Sequence, residues 1–416
     1  MGNPRVLLIS NEGLAESSSN GRTMAKLLKS YDAEQIAHFY LHGEQNYSIC
    51  MNCFCVSDTD ALNAFLGRKV KNEKRENSQS KPAISKKKRT CFLLVLRNIV
   101  WSSFRWWNKS FDVFLEDFRP EVIIFQAGDS PFMYKIVERI RIKFQIPVIL
   151  FSTENYVLKD KLFSSAKRYS PWHLLLKCLL RRQHARLMKS VSYCVYNTEV
   201  LENDYRIRYP STTKSATIYT SSEFVPISRP ETETGEFTLL YCGNLGVGRA
   251  EMLCEVAQVL LNVDLSARLI IYGRFISKEE QDMVCQNKNV IYKGIVPYEQ
   301  IPELMQKSSM LLHCENPKRL KNLRTAFSTK IADSLSSGRP FLVYASRKYP
   351  FVEYLAKHQA AIIAGDSNEL NVILRKCIYD FNYRYSYVSN AILLATVNHS
   401  IKNNSERFSD IICRVK

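Results

Sequence analysis

Short apolar runs alternate with helix-like segments along the first half of the chain. Val6–Ile9 is uniformly apolar, and similar runs occupy residues 35–40, 122–125 and 147–151. Pro131–Phe144, between the last two runs, is a long segment with helical character. Apolar runs of this length, bounded by polar loops, are typical of buried strands. We therefore predict a parallel sheet with crossover helices. A polar turn at residues 17–21 should lead into a helix over 21–28, with Gly21 permitting close backbone approach.

The second half repeats this alternation more regularly. Strands are predicted at Thr238–Cys242, Arg268–Tyr272, 289–293, 310–314 and 341–344, with helices at 251–261 and 330–336. The fold class predicted is α/β, with two Rossmann-like, doubly wound domains facing a cleft.

The domain layout follows from breaks in this rhythm. The first domain should cover residues 1–208, with a basic and Trp-rich insertion at 68–109. Residues 209–236 are rich in Ser, Thr, Pro and Glu and are predicted as the interdomain linker. The second domain should cover 237–378, and helices at 379–416 should return to the first domain.

Composition narrows the class of protein. The 416 residues carry 58 Lys and Arg against 40 Asp and Glu, a formal net charge of +18. This excess favours an anionic partner, which could be a phosphorylated substrate, nucleic acid or acidic lipid. No secretory leader or transmembrane helix is expected, since no apolar stretch approaches about 18 residues. The 12 cysteines show no disulfide framework, and Cys50, Cys53 and Cys55 lack the partners of a metal site.

Two regions have the composition of a membrane-interface segment. Residues 68–90 contain ten Lys or Arg against Glu73 and Glu76, and residues 91–109 contain Trp101, Trp106 and Trp107. Residues 172–189 mix leucines with Lys and Arg. Aromatic, aliphatic and basic side chains on one element suit a membrane surface. The alternative is a solubilising loop followed by two ordinary core helices.

A glycine-rich loop follows the strand Thr238–Cys242. Gly243, Gly246 and Gly248 would let the backbone approach a diphosphate, and the next helix would direct its N-terminal amides at it. Arg249 could pair with phosphate oxygens. A tight turn with a solvated arginine would have the same sequence.

A second segment with binding character spans residues 327–340. Ser328 and Thr329 stand where N-cap residues belong, and Lys330 lies in the first helical turn, where a bound anion would offset its clash with the helix dipole. Asp333 follows on the same face and could accept hydrogen bonds from ribose. The alternative is a capped surface helix in which lysine and aspartate pair locally.

Together these segments resemble glycosyltransferase family 4 and its relatives of the GT-B fold, best over residues 237–365 and more weakly over the first 200. Two departures from the family pattern stand out. Asn244 occupies the family's arginine position, with Arg249 in its lysine position, and Thr325 replaces the first of two glutamates while Asp333 takes the second position.

The resemblance implies transfer of a sugar, with retention, from a nucleotide diphosphate donor, most simply a UDP-sugar. The acceptor would be lipid-linked or a polysaccharide, as in capsule, O-antigen or exopolysaccharide synthesis, and the enzyme would lie peripherally on the cytoplasmic face of the cell membrane, through residues 68–109 and 172–189. The nucleotide sugar is a substrate, so no cofactor or metal is expected.

The resemblance and the positions of the loops after the strands together assign candidate site residues. The donor residues are Gly243, Asn244, Gly246, Arg249, Gly294, Val296, Glu315, Ser328, Thr329, Lys330 and Asp333. The acceptor or sugar residues are Asn20, Gly21, Gln126, Asp129 and Glu154, and the candidate catalytic residues are Asp129, Arg249 and Lys330.

Two other functions remain open. A nucleotide-sugar epimerase could have the same fold, but the basic, Trp-rich insertion would then have no role. The net charge also permits a nucleic-acid-binding protein, although no recognition motif supports one and no nucleic-acid partner is expected.

Overall fold

The structure is a computed structural model that describes residues 3–15, 18–68, 90–162, 166, 168–210, 213–228 and 235–416. Most of the basic segment 68–90, and parts of the predicted linker and turn, lie outside these residues. The chain forms two compact units. Unit 1 contains Met1–Tyr219 and Asn404–Lys416, and unit 2 contains Thr220–Asn403.

Unit 1 is built on a seven-stranded parallel sheet. Its strands are β1 (Val6–Ile9), β2 (Ile36–Tyr40), β3 (Asn52–Cys55), β4 (Val122–Gln126), β5 (Val148–Ser152), β6 (Tyr193–Tyr196) and β7 (Lys214–Thr217). They are arranged in the order β3-β2-β1-β4-β5-β6-β7, so the direction of winding reverses between β1 and β4. The central strands are buried on both faces, which explains why their sequences are apolar runs.

Several α-helices among the described residues lie wholly in unit 1. They are α1 (Ser19–Leu27), α2 (Asp58–Phe65), α3 (Cys91–Ser102), α4 (Lys109–Phe118), α5 (Pro131–Phe144), α6 (Pro171–Met188) and α7 (Glu199–Arg208). One apolar cluster joins residues of α3, α5 and α6 to side chains of one sheet face such as Leu7 and Ile123. On the other face, Val6 and Leu8 pack with residues of α1 and with Phe408, near the C-terminus.

Unit 2 contains a six-stranded parallel sheet. Its strands are β8 (Thr238–Cys242), β9 (Arg268–Tyr272), β10 (Val290–Gly294), β11 (Met310–Glu315), β12 (Phe341–Ala345) and β13 (Ile362–Ala364). The order β10-β9-β8-β11-β12-β13 reverses between β8 and β11. The helices that follow its strands are α8 (Arg249–Val263), α9 (Lys278–Cys285), α10 (Ile301–Gln306), α11 (Leu320–Leu323), α12 (Thr329–Ser336), α13 (Pro350–Lys357), α14 (Ser367–Tyr379), α15 (Phe381–Tyr385) and α16 (Val388–Asn398). The last helix is α17 (Ile401–Val415), from which Asn404 onwards belongs to unit 1.

The fold class is confirmed: two parallel sheets with helices form the α/β, Rossmann-like architecture predicted. Two details of the sequence analysis were wrong. Residues 19–21 are not a turn but the first turn of α1, because the Ser18 hydroxyl caps the helix by accepting from the amide of Gly21. Within the predicted linker, Lys214–Thr217 pairs with β6 as an edge strand.

Two of the three tryptophans in the stretch 91–109 do not lie on the surface, as a membrane-interface role would require of them. Trp101 and Trp106 are buried in the core of unit 1, and Trp101 stacks on Phe132 with ring centroids 4.8 Å apart. The indole nitrogen of Trp101 donates to Asp58 at 2.8 Å. These two tryptophans therefore serve packing, as the core-helix alternative proposed, and cannot contact lipid. No helix of the described residues is both long enough and apolar enough to cross a membrane.

Candidate active site

The predicted donor residues of unit 2 gather where the sheet changes its direction of winding. Gly243 follows β8 and Glu315 ends β11, and these two strands are neighbours. Ligands of open parallel sheets bind at the carboxyl ends of strands at such a switch point. The topology thus brings together segments that lie about 70 to 90 residues apart in the sequence.

Arg249 and Glu315 form a buried ion pair across this switch point. The Nε of Arg249 donates to Oε2 of Glu315 at 3.2 Å, and Nη2 donates to Oε1. Its remaining nitrogen, Nη1, donates to the carbonyl of Asn244 at 3.2 Å. The guanidinium is therefore occupied by protein partners, and its charge is balanced by a carboxylate with 4% exposure. Arg249 holds the glycine-rich loop against the end of β11.

Glu315 remains ionised despite its burial. Burial alone would raise the pKa of this carboxyl, but contacts with His313 and Arg249 outweigh it and hold the pKa below its usual value. His313 lies 3.4 Å away, and burial lowers the pKa of its own imidazole. A neutral imidazole cannot supply charge, so we assign the stabilisation chiefly to Arg249.

Lys330 brings a second cation to this switch point. Its ammonium makes no hydrogen bond within the described part of the chain and lies 5.8 Å from the centroid of the Tyr241 ring. The side chain is half-buried. Burial, followed by the nearby charge of Arg249, lowers its pKa to about 8. The side chain lies directly over Gly243, where a Cβ would come within 2.0 Å of the Lys330 Nζ. Only glycine at 243 leaves room for the lysine in this position.

The other donor candidates surround this cation. Ser328 precedes α12 with N-cap geometry but makes no capping hydrogen bond, and Thr329 is the first residue of the helix. The side-chain oxygen of Asn244 accepts from the amide of Gly246 at 2.8 Å, which fixes the loop. Gly294 ends β10 with a φ of 76°, and Val296 is half-buried in the loop beyond it.

Asp333 has partners that sequence reasoning did not anticipate. Its Oδ1 accepts from the Ser222 hydroxyl at 2.7 Å and from the Tyr298 hydroxyl at 3.0 Å, and the residue is only 4% exposed. Asn316 was also missed: its amide donates to the carbonyl of Gly248 at 3.1 Å and so ties the glycine-rich loop to β11. A cavity of about 30 Å³ lies beside Lys330 and Asp333, room for a water molecule but not for a nucleotide.

The acceptor candidates of unit 1 surround a larger cavity at the other switch point, between β1 and β4. Its volume is about 420 Å³, and Asn20, Gln126 and Asp129 line it. The backbone carbonyl of Asn20 accepts from Gln126 Nε2 at 3.3 Å, and its side-chain oxygen accepts from the Thr153 hydroxyl at 3.2 Å. These contacts join the carboxyl ends of β4 and β5 to the start of α1.

Two acceptor candidates lie outside the wall of this cavity. Gly21 packs against the loop after β1, where a Cβ would come within 2.4 Å of the Gly13 carbonyl oxygen. Its role is therefore close packing. Glu154 is exposed.

Sequence analysis missed several residues that line the cavity. They are Asn11, Glu12, His42, Asp58, Leu94, Arg97, Ala127, Gly128, Ser130, Thr153 and Tyr156. Arg97 on α3 donates from Nε to Asp58 at 2.7 Å and from Nη1 to Ser130 at 3.1 Å. The signal that could have identified Glu12 is its place directly after a buried strand.

Metal binding has no support in the described residues, where no group of three or more His, Cys, Asp or Glu side chains is arranged to hold an ion. Cys50 and Cys53 lie close together, with their sulfur atoms 3.5 Å apart, and all 12 cysteines are free thiols.

Comparison with solved structures gives matches over nearly the whole chain. Anabaena Alr3699/HepE, solved with UDP and glucose, matches with a TM-score of 0.63 at 12% identity, covering 99% of both chains. Sucrose-phosphate synthase from Thermosynechococcus elongatus matches with a TM-score of 0.64 at 10% identity, covering 98% of both. WaaG, described as a glycosyltransferase involved in lipopolysaccharide biosynthesis, matches with a TM-score of 0.59 at 12% identity, covering 98% of this chain and 99% of WaaG.

These likenesses show that the chain has the two-domain GT-B fold. No protein-family model and no curated protein sequence matches it.

Proposed function

We propose that this protein is a glycosyltransferase that uses a UDP-sugar as donor. The observation that carries the proposal is Lys330, a densely surrounded ammonium without a hydrogen-bond partner in the described residues, at the sheet switch point beside a glycine-rich loop. Enclosing an ammonium that makes no hydrogen bond costs free energy, which a bound diphosphate would offset. Support for uridine comes from HepE, which has the same fold and was solved with UDP and with UDP-glucose.

Each donor residue takes a role in this proposal. Lys330 pairs with the diphosphate, while the backbone at Gly243 and the N-terminus of α12, with Ser328 and Thr329, donate hydrogen bonds to its oxygens. Arg249 acts through its bond to Asn244, which positions the loop. In the transition state the same donors stabilise the charge that develops on the leaving diphosphate. Gly294 and Val296 contact the base, and Asp333 contacts ribose once one of its hydroxyl partners is displaced.

The acceptor occupies the cavity of unit 1, and Asp129 contacts the hydroxyl that attacks the sugar. We infer retention of the anomeric configuration from the resemblance to family 4, with the leaving phosphate helping to remove the acceptor proton. Proton NMR of the first product formed would check this, since a retaining enzyme conserves the donor's anomeric configuration.

We further propose a lipid-linked or polysaccharide acceptor, met on the cytoplasmic face of the cell membrane. Support comes from an apolar patch on α3 and α6, formed by Phe92, Leu93, Leu96, Ile99, Trp172, Leu174 and Leu175, each more than 40% exposed. The rings of Phe92 and Trp172 touch, with centroids 5.0 Å apart, so the two helices share this patch. Ten basic residues directly precede α3 in the sequence, and they would favour acidic lipid.

The decisive experiment measures nucleotide binding and sugar release with the full chain. Calorimetry against UDP, GDP, ADP, CDP and UMP should show selective binding of UDP, and incubation with UDP-sugars should release UDP slowly without acceptor and faster with one. Asp129→Asn should keep UDP affinity while lowering transfer about a hundredfold or more, because the attacking hydroxyl would lose the contact that orients it. Failure of every nucleoside diphosphate to bind would overturn the proposal.

A further inference from the structure

The cavity of unit 1 continues into a second one. The neighbouring cavity, also about 420 Å³, is lined by Gly13, Ala15, Ser18, Ser19, Gly43 and Glu44 in addition to residues of the first. Glu12, Asn20 and His42 line both. A parallel bridge between Glu12 and His42 extends the pairing of β1 with β2, which places these two residues side by side. Each cavity alone has the volume of a small-molecule site.

The described walls of the two cavities carry more negative than positive charge, in contrast to the chain as a whole. Glu12, Glu44, Asp58 and Asp129 contribute four carboxyl groups. Arg97 is the one Lys or Arg among the described lining residues, and its guanidinium already donates to Asp58 and Ser130. An anionic ligand would therefore meet like charge with little to balance it.

The wall of the first cavity also presents a hydrogen-bond acceptor that lacks a donor among the described residues. Gln126 is only 7% exposed, and although its amide nitrogen donates to Asn20, no hydrogen bond to its amide oxygen forms within the described residues. Because the side chain is almost enclosed and lines the cavity, a ligand that donates to this oxygen would complete its hydrogen bonding. Sugar hydroxyls can donate, whereas an ionised carboxylate or phosphate can only accept.

We propose that these joined cavities bind an uncharged saccharide of at least two linked rings and discriminate against uronic acids and phosphorylated sugars. This inference rests on the proposed function, because it defines the acceptor of that reaction. The charged group of a membrane-linked acceptor would accordingly lie outside the two cavities. Discrimination arises from the carboxylates of the wall, which repel a negative ligand, and from the Gln126 amide oxygen, which can accept from a sugar hydroxyl but not pair with an ionised carboxylate or phosphate.

Matched ligands test this proposal with the full chain. Saturation-transfer NMR and calorimetry, with and without UDP, would compare methyl glucoside and methyl galactoside with methyl glucuronide, methyl galacturonide and their 6-phosphates, and would include neutral disaccharides such as methyl cellobioside, methyl maltoside and methyl lactoside. We expect methyl glucoside or methyl galactoside to bind about tenfold or more tightly than its matched uronic acid, and at least one neutral disaccharide to bind more tightly than either monosaccharide. Glu12→Gln should narrow this ratio about threefold or more, whereas Glu116→Gln, an exposed carboxylate on α4, should leave it unchanged.

The outcomes separate this inference from the proposed function. Equal or tighter binding of a uronic acid or phosphate, or no saccharide binding at all, overturns the inference, while UDP binding and UDP release would still support a glycosyltransferase. A third outcome is also possible: the chain binds neutral saccharides selectively but binds no nucleoside diphosphate. That result would support the proposed chemistry of the cavities and overturn the proposed function.

Discussion

Arg249 and Glu315 bond to each other at two points, Nε to Oε2 at 3.2 Å and Nη2 to Oε1, although 66 residues separate them in the chain. Both side chains are at most 10% exposed. Neither side chain can move away without leaving the other charge buried and unpaired. The pair therefore fixes the position of the glycine-rich loop relative to the end of β11.

We predict that Glu315→Gln destabilises unit 2 by about 3–5 kcal/mol, because it leaves the Arg249 charge buried without a counterion. The double variant Arg249→Met/Glu315→Leu should recover most of this loss, since it removes both charges together. Thermal and urea unfolding of the wild type, Arg249→Met, Glu315→Leu and the double variant, which form a double-mutant cycle, would measure the coupling. Additive effects of the two single changes would show that the ion pair does not act as a unit.

Lys330→Met should affect binding and stability in opposite directions. Removing an ammonium that protein atoms surround, and that has no hydrogen-bond partner in the described residues, should raise the melting temperature of the ligand-free protein by about 2 °C or more at pH 7. The same change should abolish most of the stabilisation by UDP. Lys318→Met, at a lysine whose side chain is 81% exposed, is the matched control and should alter neither quantity. A melting temperature that falls together with UDP binding would instead mean that Lys330 supports the fold.

UDP affinity should depend on pH through the same lysine. Its pKa in the ligand-free protein is lowered to about 8, so the ammonium is lost as the pH rises through that value. Affinity for UDP should therefore weaken from about pH 8 upward, by up to about tenfold per pH unit until other groups titrate. Lys330→Arg should remove this dependence, since a guanidinium stays charged. Calorimetric titration with UDP between pH 6.5 and 9.5 would test this prediction. A wild-type affinity that does not change with pH over this range would contradict it.

The sign for stability is opposite to that for binding. Between a folded-state pKa near 8 and the ordinary lysine value, the unfolded chain binds more protons than the folded one at this position. Lys330 therefore makes a contribution that raises the stability of the ligand-free protein as the pH rises through this window. The free energy of unfolding would be measured against pH for the wild type and for Lys330→Met. The difference, wild type minus variant, should rise with pH between about 8 and the ordinary lysine pKa.

The central strands could be predicted from the sequence because they are largely buried and therefore consist of apolar runs. Thr238–Cys242 and Arg268–Tyr272 were predicted with the bounds observed, since apolar strands flanked by polar loops give a strong local signal. β3 and β7 were missed because both are partly exposed edge strands, with the sequences NCFC and KSAT. Such strands carry little hydrophobic pattern, and pairing with a neighbour decides their conformation.

The site could be predicted as positions but not as contacts. The loops after β4 and β8 were recognisable from the sequence. The cavity residue Asp129 was predicted from the loop after β4, and the half-buried Lys330 from the segment 327–340. The partners of Arg249 and Asp333 were not recognisable, because topology brings Glu315, Ser222 and Tyr298 to them over distances in sequence that local patterns do not encode.

Gly243→Ala tests whether the backbone at Gly243 and Lys330 form one site. A Cβ at position 243 would lie 2.0 Å from the Lys330 Nζ, so the lysine side chain must move. We expect UDP affinity to fall about tenfold or more with a small change in melting temperature, because a long side chain can be displaced more easily than backbone. Gly365→Ala, where the closest atoms are 3.4 Å from the added carbon, is the control. Unchanged UDP affinity in Gly243→Ala would place the diphosphate elsewhere.

The apolar patch of α3 and α6 makes the membrane proposal testable. Binding to vesicles should require both the exposed hydrophobic side chains and acidic lipid, because neither a small apolar area nor a single basic segment anchors a protein stably. Phe92→Glu/Trp172→Glu should lower binding to phosphatidylglycerol-containing vesicles about tenfold or more. Ile207→Glu, at an 82% exposed residue on α7, should leave binding unchanged. Co-sedimentation would measure all three proteins at low and high salt, and equal binding by the double variant and the wild type would exclude this patch as the docking surface.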